Sequence, residues 1–524
     1  MELRREQLER FAGLEIAGIH IVPYNVFDSS RLWFVRAANS MHTITREQVI
    51  RKDLLFKKGD KVDPDVLIRT GQLVISRPYI SDVNITVFPN AADSTMADIY
   101  VVTRDKWSIS ADAGIDGDND AYLKIFDDNF LGSGNSLGIT TNSNVRTWKY
   151  GGNMFEYRMP NMFGTFFSGR IVAGKDFDTY SYGLESNREF VQPGIYAGGF
   201  SFFHEKSEFY LRNGDTTINS SYNTYDIWGG KSWPIKSLNN SVFFTARYAG
   251  RDYTDRPQVS ASFNPAFHNE RSVLASVGLY RENFRIANLI YGYGVSEYIA
   301  YGYQFSLTGG YSWREFGNRW YLGGDFSTGY FTKIGYFGWR MGLGSYINNR
   351  ESSFYMTTMT SSINYFSNLL GKGRYKVRQF ISLGGVRGWN RLEGYHEYVK
   401  FDRKQEMQAL RRDAYGANKL TLGTETVVFT PWNIVEFKFA PFFFVDAGFI
   451  GENGNFFRND FYTTFGFGVR IKNESMIFNT INIRIGFAVN KTGFIPSNYF
   501  AVSSADRMSP VRYVPQKASV IEYR

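Results

Sequence analysis

From about Asp105 to Val489 the chain repeats on a two-residue period. Tyr301, Tyr303, Phe305, Leu307 and Tyr311 alternate with Gly302, Gln304, Ser306, Thr308 and Gly310, so a strand here carries aromatics on one face and small or polar groups on the other. Phe465, Phe467, Val469 and Ile471 alternate in the same way with Gly466, Gly468, Arg470 and Lys472. So do Ile481, Ile483, Ile485, Phe487 and Val489 with Asn482, Arg484 and Gly486. A soluble β-sandwich alternates too, but it leaves unexplained the even spread of aromatics and the arginines opposite isoleucines near the end of the span. Lipid outside and water inside account for both, which predicts a transmembrane antiparallel β-barrel over 105–489. Strands of about ten residues, short turns and longer loops give about 16 strands. Residues 390–419 form the most charged loop of this half, with Lys400–Arg412 a candidate short helix. From Asn490 to Arg524 the alternation is lost, and 490–524 reads as a peripheral tail.

The N-terminal part follows another pattern. Residues 1–13 read as a charged helical segment and Leu14–Phe27 as an extended apolar one. Thr45–Phe56 has helical spacing, with Thr43 or Thr45 as N-cap and Lys57-Lys-Gly-Asp60 as its end. Asp63-Pro64 opens a second helix, the aspartate capping and the proline at the first helical position, running to about Ser76. Strands Ile80–Pro89 and Met96–Arg104 follow, separated by the turn cluster Asn90-Ala-Ala-Asp-Ser. The order strand, helix, helix, strand, strand predicts a small α+β domain over 14–104.

Composition agrees with the barrel. Aromatics make up 18% of 524 residues, with 47 Phe, 35 Tyr, 51 Gly and only 14 Pro, a balance that favours a large β-structure with aromatic girdles. Cysteine is absent, which excludes disulfide, zinc-thiolate and iron–sulfur chemistry. The net charge of +9 comes from 59 basic and 50 acidic residues with no long block of one sign, so nucleic acid is not implied as a partner. No window of about 18 apolar residues exists, which leaves a closed barrel as the way to span a membrane. The start, Met1-Glu-Leu-Arg-Arg-Glu, lacks the apolar core of a secretory signal. A leader is expected either to have been removed or to lie behind a misplaced start.

Four stretches resemble the BamA-type superfamily of outer-membrane assembly factors and two-partner secretion transporters. The 14–104 module is similar to a single POTRA domain, the periplasmic unit of that family. Asn129, Phe130, Leu131, Gly132 and Gly134, within Asp128–Ile139, are similar to its first-hairpin signature. Val386, Arg387, Gly388 and Trp389 resemble the VRGF-type motif of its sixth extracellular loop, with Trp in the aromatic place. Asp446 in Phe444-Val-Asp-Ala-Gly448 lies where the family has the aspartate that meets the loop arginine, and Glu425 where it has a second acidic partner. The resemblance covers about nine-tenths of the chain. It departs from the family in the roughly 35 residues after Val489 and in having one POTRA-like module.

The resemblance implies a barrel in the bacterial outer membrane with the N-terminal domain in the periplasm. It also implies assembly, insertion or translocation of client polypeptides without covalent chemistry. Its partners would be outer-membrane lipid, client β-barrel or secreted polypeptides, and periplasmic accessory proteins docking on the POTRA-like domain. A guanidinium at Arg387 offers five fixed donors and suits bridging Glu425 and Asp446 inside the lumen. Glycines 384, 385 and 388 would let the loop tip approach the wall. The first strand, near Trp107–Ile115, and the last, near Asn479–Val489, would meet at a weakly paired seam that templates a client strand. A passive pore or transporter shares the barrel but needs neither latch nor module.

Enzyme signals are weak. Gly134-Asn-Ser-Leu-Gly138 fits G-x-S-x-G but lies in a hairpin without a strand-to-helix turn. The five histidines, His20, His42, His204, His268 and His396, lack ligand spacing, so no metal or cofactor is expected. Asp116, Asp118 and Asp120 begin like a calcium loop, but Ala121 stands where glycine is required and Asp127 where glutamate is. They read as a hydrated turn.

Overall fold

The computed structural model describes residues 7–26, 42–115, 120–191, 194–210, 217–235, 240–290, 292–293, 297–348, 353–391, 398–402, 405–407, 410, 414–434, 437–473, 481–490, 493–503 and 511–523. Residues 1–6, Asp116, Asp118, His396 and much of the candidate helix at 400–412 lie outside them. The N-terminal domain comprises β1 (Glu15–Tyr24), α1 (Glu47–Lys52), α2 (Pro64–Ile75), β2 (Ile80–Pro89) and β3 (Met96–Asp105). Its sheet runs β1-β3-β2, with β1 parallel and β2 antiparallel to β3. Helix α2 starts as its sequence dictates: the Asp63 side chain accepts from the backbone N–H of Asp65 and Val66 behind Pro64. Helix α1 is shorter than its spacing predicts. Arg46 is its N-cap without a side-chain bond, because Thr45 is held by Asp105 instead. The core of the domain packs Ile50, Leu67 and Val74 from the helices against Ile16, Ile85 and Ile99 from the sheet.

The rest closes into an antiparallel barrel. Among the described residues twenty-one strand segments form it; one, Asn433–Ile434, has two residues and folds back on its neighbour. Twenty full strands remain, against the roughly 16 expected from the periodicity. The shortfall has two physical causes. The first six strands, between Ile109 and Arg188, have only 7 to 11 residues, so more of them fit than a uniform repeat allows. The barrel also does not end at Val489. Gly493–Ser503 pairs along Asn482–Asn490 as a further strand, which makes it, and not the segment ending at Val489, the partner of the first strand β4 (Ile109–Ile115). Among the described residues these two share one registered pair, Ile115 with Val502.

The alternation sets inside from outside. Leu422, Phe443, Phe467 and Ile485 are exposed on the outer face, and Phe443, Phe467 and Ile485 lie side by side in register. Arg378, Glu425, Asp446, Arg470 and Arg484 are buried on the inner one. No helix of the described residues is long and apolar enough to cross a membrane. The apolar outer belt on a closed antiparallel sheet has the pattern of a lipid-facing barrel wall. We call the mouth beside the N-terminal domain proximal and the other distal.

Candidate functional site

Three pieces of the protein's own chain enter the lumen. On the proximal side the turn after Ala287 folds inward. Arg378 donates to the carbonyls of Leu289 (2.8 Å) and Asn288 (2.9 Å) and Lys438 to that of Tyr293 (2.5 Å), over an aromatic cluster that includes Tyr336, Phe366, Phe380, Phe442 and Phe444. On the distal side the charged loop after Trp389 turns in. Val399, Phe401, Met407 and Leu410 are buried against Val386, Ile450 and Ala488, and Lys419 binds Glu406 (2.8 Å) and the Lys400 carbonyl (3.0 Å).

The third piece is the tail, expected to be peripheral. After the last strand has run back to the proximal side, residues 511–523 climb through the lumen to the distal mouth. Arg512 holds both oxygens of Glu282 (2.8 and 2.9 Å), Tyr513 meets the Tyr336 hydroxyl (2.6 Å) and Lys517 meets Asp226 (2.6 Å). The Ile521 N–H donates to Tyr321 (2.7 Å) and the Tyr523 hydroxyl to the Ala417 carbonyl (2.5 Å). The tail loses the two-residue period because it faces the lumen all round: Tyr513, Val514 and Ala518 are buried between polar anchors.

The expected latch is not assembled. Val386, Arg387, Gly388 and Trp389 belong to strand Lys376–Trp389, not to a loop; the loop begins at Asn390. Val386 and Gly388 face the lumen, Gly388 against Tyr523. Arg387 shares the outward face of Ile381 and Leu383, with its guanidinium 4.8 Å over the Trp389 ring and beside Gly454. Register separates it further. Glu425 is opposite Phe380 and Arg387 is opposite Asn418, seven residues or ~23 Å along the strand. Glu425 instead pairs with Arg470 from a strand two positions round the wall, which also lies over the Phe380 and Phe442 rings. Asp446 accepts from the Thr464 hydroxyl (3.1 Å).

The first-hairpin residues are instead the socket of the N-terminal domain. Asn129 is buried. Its amide donates to the Thr45 hydroxyl (2.9 Å) and the Thr43 carbonyl (3.3 Å), and its oxygen accepts from the Gly134 N–H (2.8 Å). Thr45 in turn binds Asp105, which also meets His42 (3.1 Å). Leu131 and Gly132 have φ of 54° and 70°, and a Cβ on Gly132 would come within 2.7 Å of the Ile44 carbonyl, so only glycine admits this approach. Phe130 starts the exposed side of the turn, and Gly134 lies under Tyr79. Burial pushes the Tyr79 phenol and the Asp128 carboxyl above their ordinary values. In the G-x-S-x-G stretch, Ser136 donates to Asp128 (2.5 Å) and serves the turn.

A second socket went unseen in the sequence. Asn161 donates to Asp53 (2.7 Å) and the Lys52 carbonyl (2.9 Å) at the end of α1 and accepts from Phe166 N–H (2.8 Å). Phe163 repeats the φ of Leu131. The signal was available: Asn161-Met-Phe-Gly-Thr echoes Asn129-Phe-Leu-Gly-Ser at a spacing of 32 residues. Arg77 completes this contact by holding both Asp53 oxygens (2.5 and 2.7 Å).

Among solved structures the chain is similar to CdiB from Escherichia coli, at 10% identity over 96% of this chain and 95% of that one, with a TM-score of 0.48. It is similar to CdiB from Acinetobacter baumannii at 9% identity over 94% and 73%, with a TM-score of 0.45. It is also similar to BamA from Haemophilus ducreyi lacking POTRA domains 1–3, at 11% over 93% and 83%, with a TM-score of 0.34. No family model matches the chain, and no curated protein matches it. The strand count and the luminal tail rest on this chain's own register and contacts. Among the described residues no cluster of three or more His, Asp or Glu is placed to hold a metal ion.

Proposed function

We propose that the chain is a bacterial outer-membrane barrel that inserts or translocates client polypeptides, with its N-terminal domain in the periplasm. The observation that supports this reading best is the occupied lumen, in which the turn after Ala287, the loop after Trp389 and residues 511–523 lie inside a closed antiparallel barrel. First and last strands meet at Ile115 and Val502, and opening there would give an incoming β-rich segment an edge to pair with. The short strands from Ile109 to Arg188 adjoin that seam, and a low wall draws the surrounding bilayer thinner where a client would enter. The edges β1 and β2 of the N-terminal sheet are where clients or accessory proteins would dock. Its two asparagine sockets hold it over the proximal mouth. A passive pore is the rival reading, and a tail threaded through the lumen counts against it. The reading involves no covalent chemistry, cofactor or nucleic acid.

The chain has no cysteine of its own, which makes the seam easy to lock. Facing residues in an antiparallel pair lie within disulfide reach. Ile115→Cys with Val502→Cys is expected to form a bond that abolishes the acceleration of vesicle insertion of a urea-unfolded eight-stranded barrel protein. Reduction should restore it. An oxidised, cross-linked protein that assists insertion at the reduced rate would sink the seam mechanism.

A further inference from the structure

A luminal chamber of about 650 Å³ lies at the distal mouth, within the size range of small-ligand sites. Residues Pro265, Phe267 and His268 of loop 256–269 roof it and Val520 of the tail floors it. The roof is pinned: Arg256 holds both oxygens of Glu315 (2.6 and 2.8 Å) and the Phe267 carbonyl (2.7 Å), and the guanidinium draws the Glu315 carboxyl down to about 2.

Charge in and beside this chamber does not cancel. Asp226 already has two cations, Arg247 (2.7 Å) and Lys517 (2.6 Å). Glu270 has two, Arg319 (2.7 Å) and Arg314 (3.4 Å). Glu205 binds the Tyr222 hydroxyl, and Arg251 lies 5.1 Å over the Tyr222 ring with no ion pair among the described residues. Five cations thus face three carboxylates. Inside a protein wall such an excess is poorly screened and attracts an anion. The lining also selects the rest of the ligand. Hydroxyls of Ser201, Thr224, Ser272 and Ser312 make it polar, which disfavours a lipid chain, while Tyr222 and Tyr253, with centroids 5.3 Å apart, offer ring faces of the kind that pack against sugars.

We propose that this chamber binds an anionic saccharide arriving through the distal mouth, its phosphate or carboxylate against Arg251 and the Arg314–Arg319 pair and its ring on Tyr222 and Tyr253. The site stands independently of polypeptide insertion, since it faces the distal side, away from both the N-terminal domain and its two sockets.

The test is calorimetric titration of the full-length protein in detergent with glucose 6-phosphate, glucose and inorganic phosphate. Glucose 6-phosphate is expected to bind, and each of the other probes to bind at least about tenfold more weakly, since each lacks half of the recognised chemistry. Arg251→Gln should weaken the sugar phosphate by about tenfold or more, the usual scale for one charged hydrogen bond. Tyr253→Leu should weaken the sugar phosphate and leave inorganic phosphate unchanged. Inorganic phosphate binding as tightly as glucose 6-phosphate, no binding of any probe, or sugar-phosphate binding indifferent to both substitutions would each overturn the proposal.

Discussion

At the scale of single residues, the lumen pairs charges that the sequence gives no direct way to match. Glu425 and Asp446 do lie buried on the inner wall, as alternation on their strands requires. Arg387 does not, and the reason is parity. In Lys376–Trp389 apolar residues occupy both faces, Ile381 and Leu383 outside and Phe380 and Val386 inside, because this half of the lumen is packed with aromatics instead of water. A pattern apolar on both sides cannot say which way an arginine points, and the meeting of Glu425 with Arg470 depends on the stagger of three strands. The consequence is measurable. Glu425→Gln removes a buried carboxylate paired with Arg470 and should cost about 3 to 5 kcal/mol of stability. Arg387→Gln, at the outer rim, should cost under about 1 kcal/mol. Urea unfolding in micelles of both variants checks this, and the opposite ranking would restore Arg387 as the luminal latch.

At the scale of elements, legibility follows how local the determinants are. The start of α2 was readable because Asp63 and Pro64 act within one turn, and the strand Ile80–Pro89 because Pro, Asn and Asp bound it. The tail was not, since its order comes from partners such as Glu282 and Tyr336, some 180 to 230 residues away in sequence. The turns at Asn129 and Asn161 fall between these cases: the motif is local, but its purpose appears only once α1 and the chain before it rest on both. Asn129→Ala removes two donated bonds and one accepted bond at a buried contact, and a loss of about 1 to 3 kcal/mol in domain docking is expected. Limited proteolysis should then release the N-terminal domain several-fold faster, while the barrel keeps its resistance to heat in detergent. Unchanged release would mean that the remaining contacts, Asn161 and Arg77 at Asp53 and Arg69 at the Glu282 carbonyl (3.4 Å), hold the domain without Asn129.

The whole molecule poses a problem of volume. Barrels of 16 to 18 strands already leave an aqueous channel, so a 20-strand wall encloses more space than its own side chains fill. Here a proximal turn, a distal loop and the tail share that space. Among the described residues the tail alone of the three runs from mouth to mouth, so its removal should have the largest effect on passage. A chain ending at Pro510 is expected to show larger and steadier single-channel conductance in planar bilayers than the full chain. It should also change selectivity in a direction fixed by the ion pairs. Deletion takes away three basic residues, Arg512, Lys517 and Arg524, and one acidic residue, Glu522, and leaves Glu282 without its bidentate partner and Asp226 with Arg247, so the opened lumen becomes less positive and the reversal potential should move towards cations. If conductance rises without that shift, the tail blocks the path but does not set its charge. If neither changes, the seal belongs to the distal loop held by Lys419 and Glu406 and the proximal turn held by Arg378, and the tail's contacts serve to hold the last strand in place.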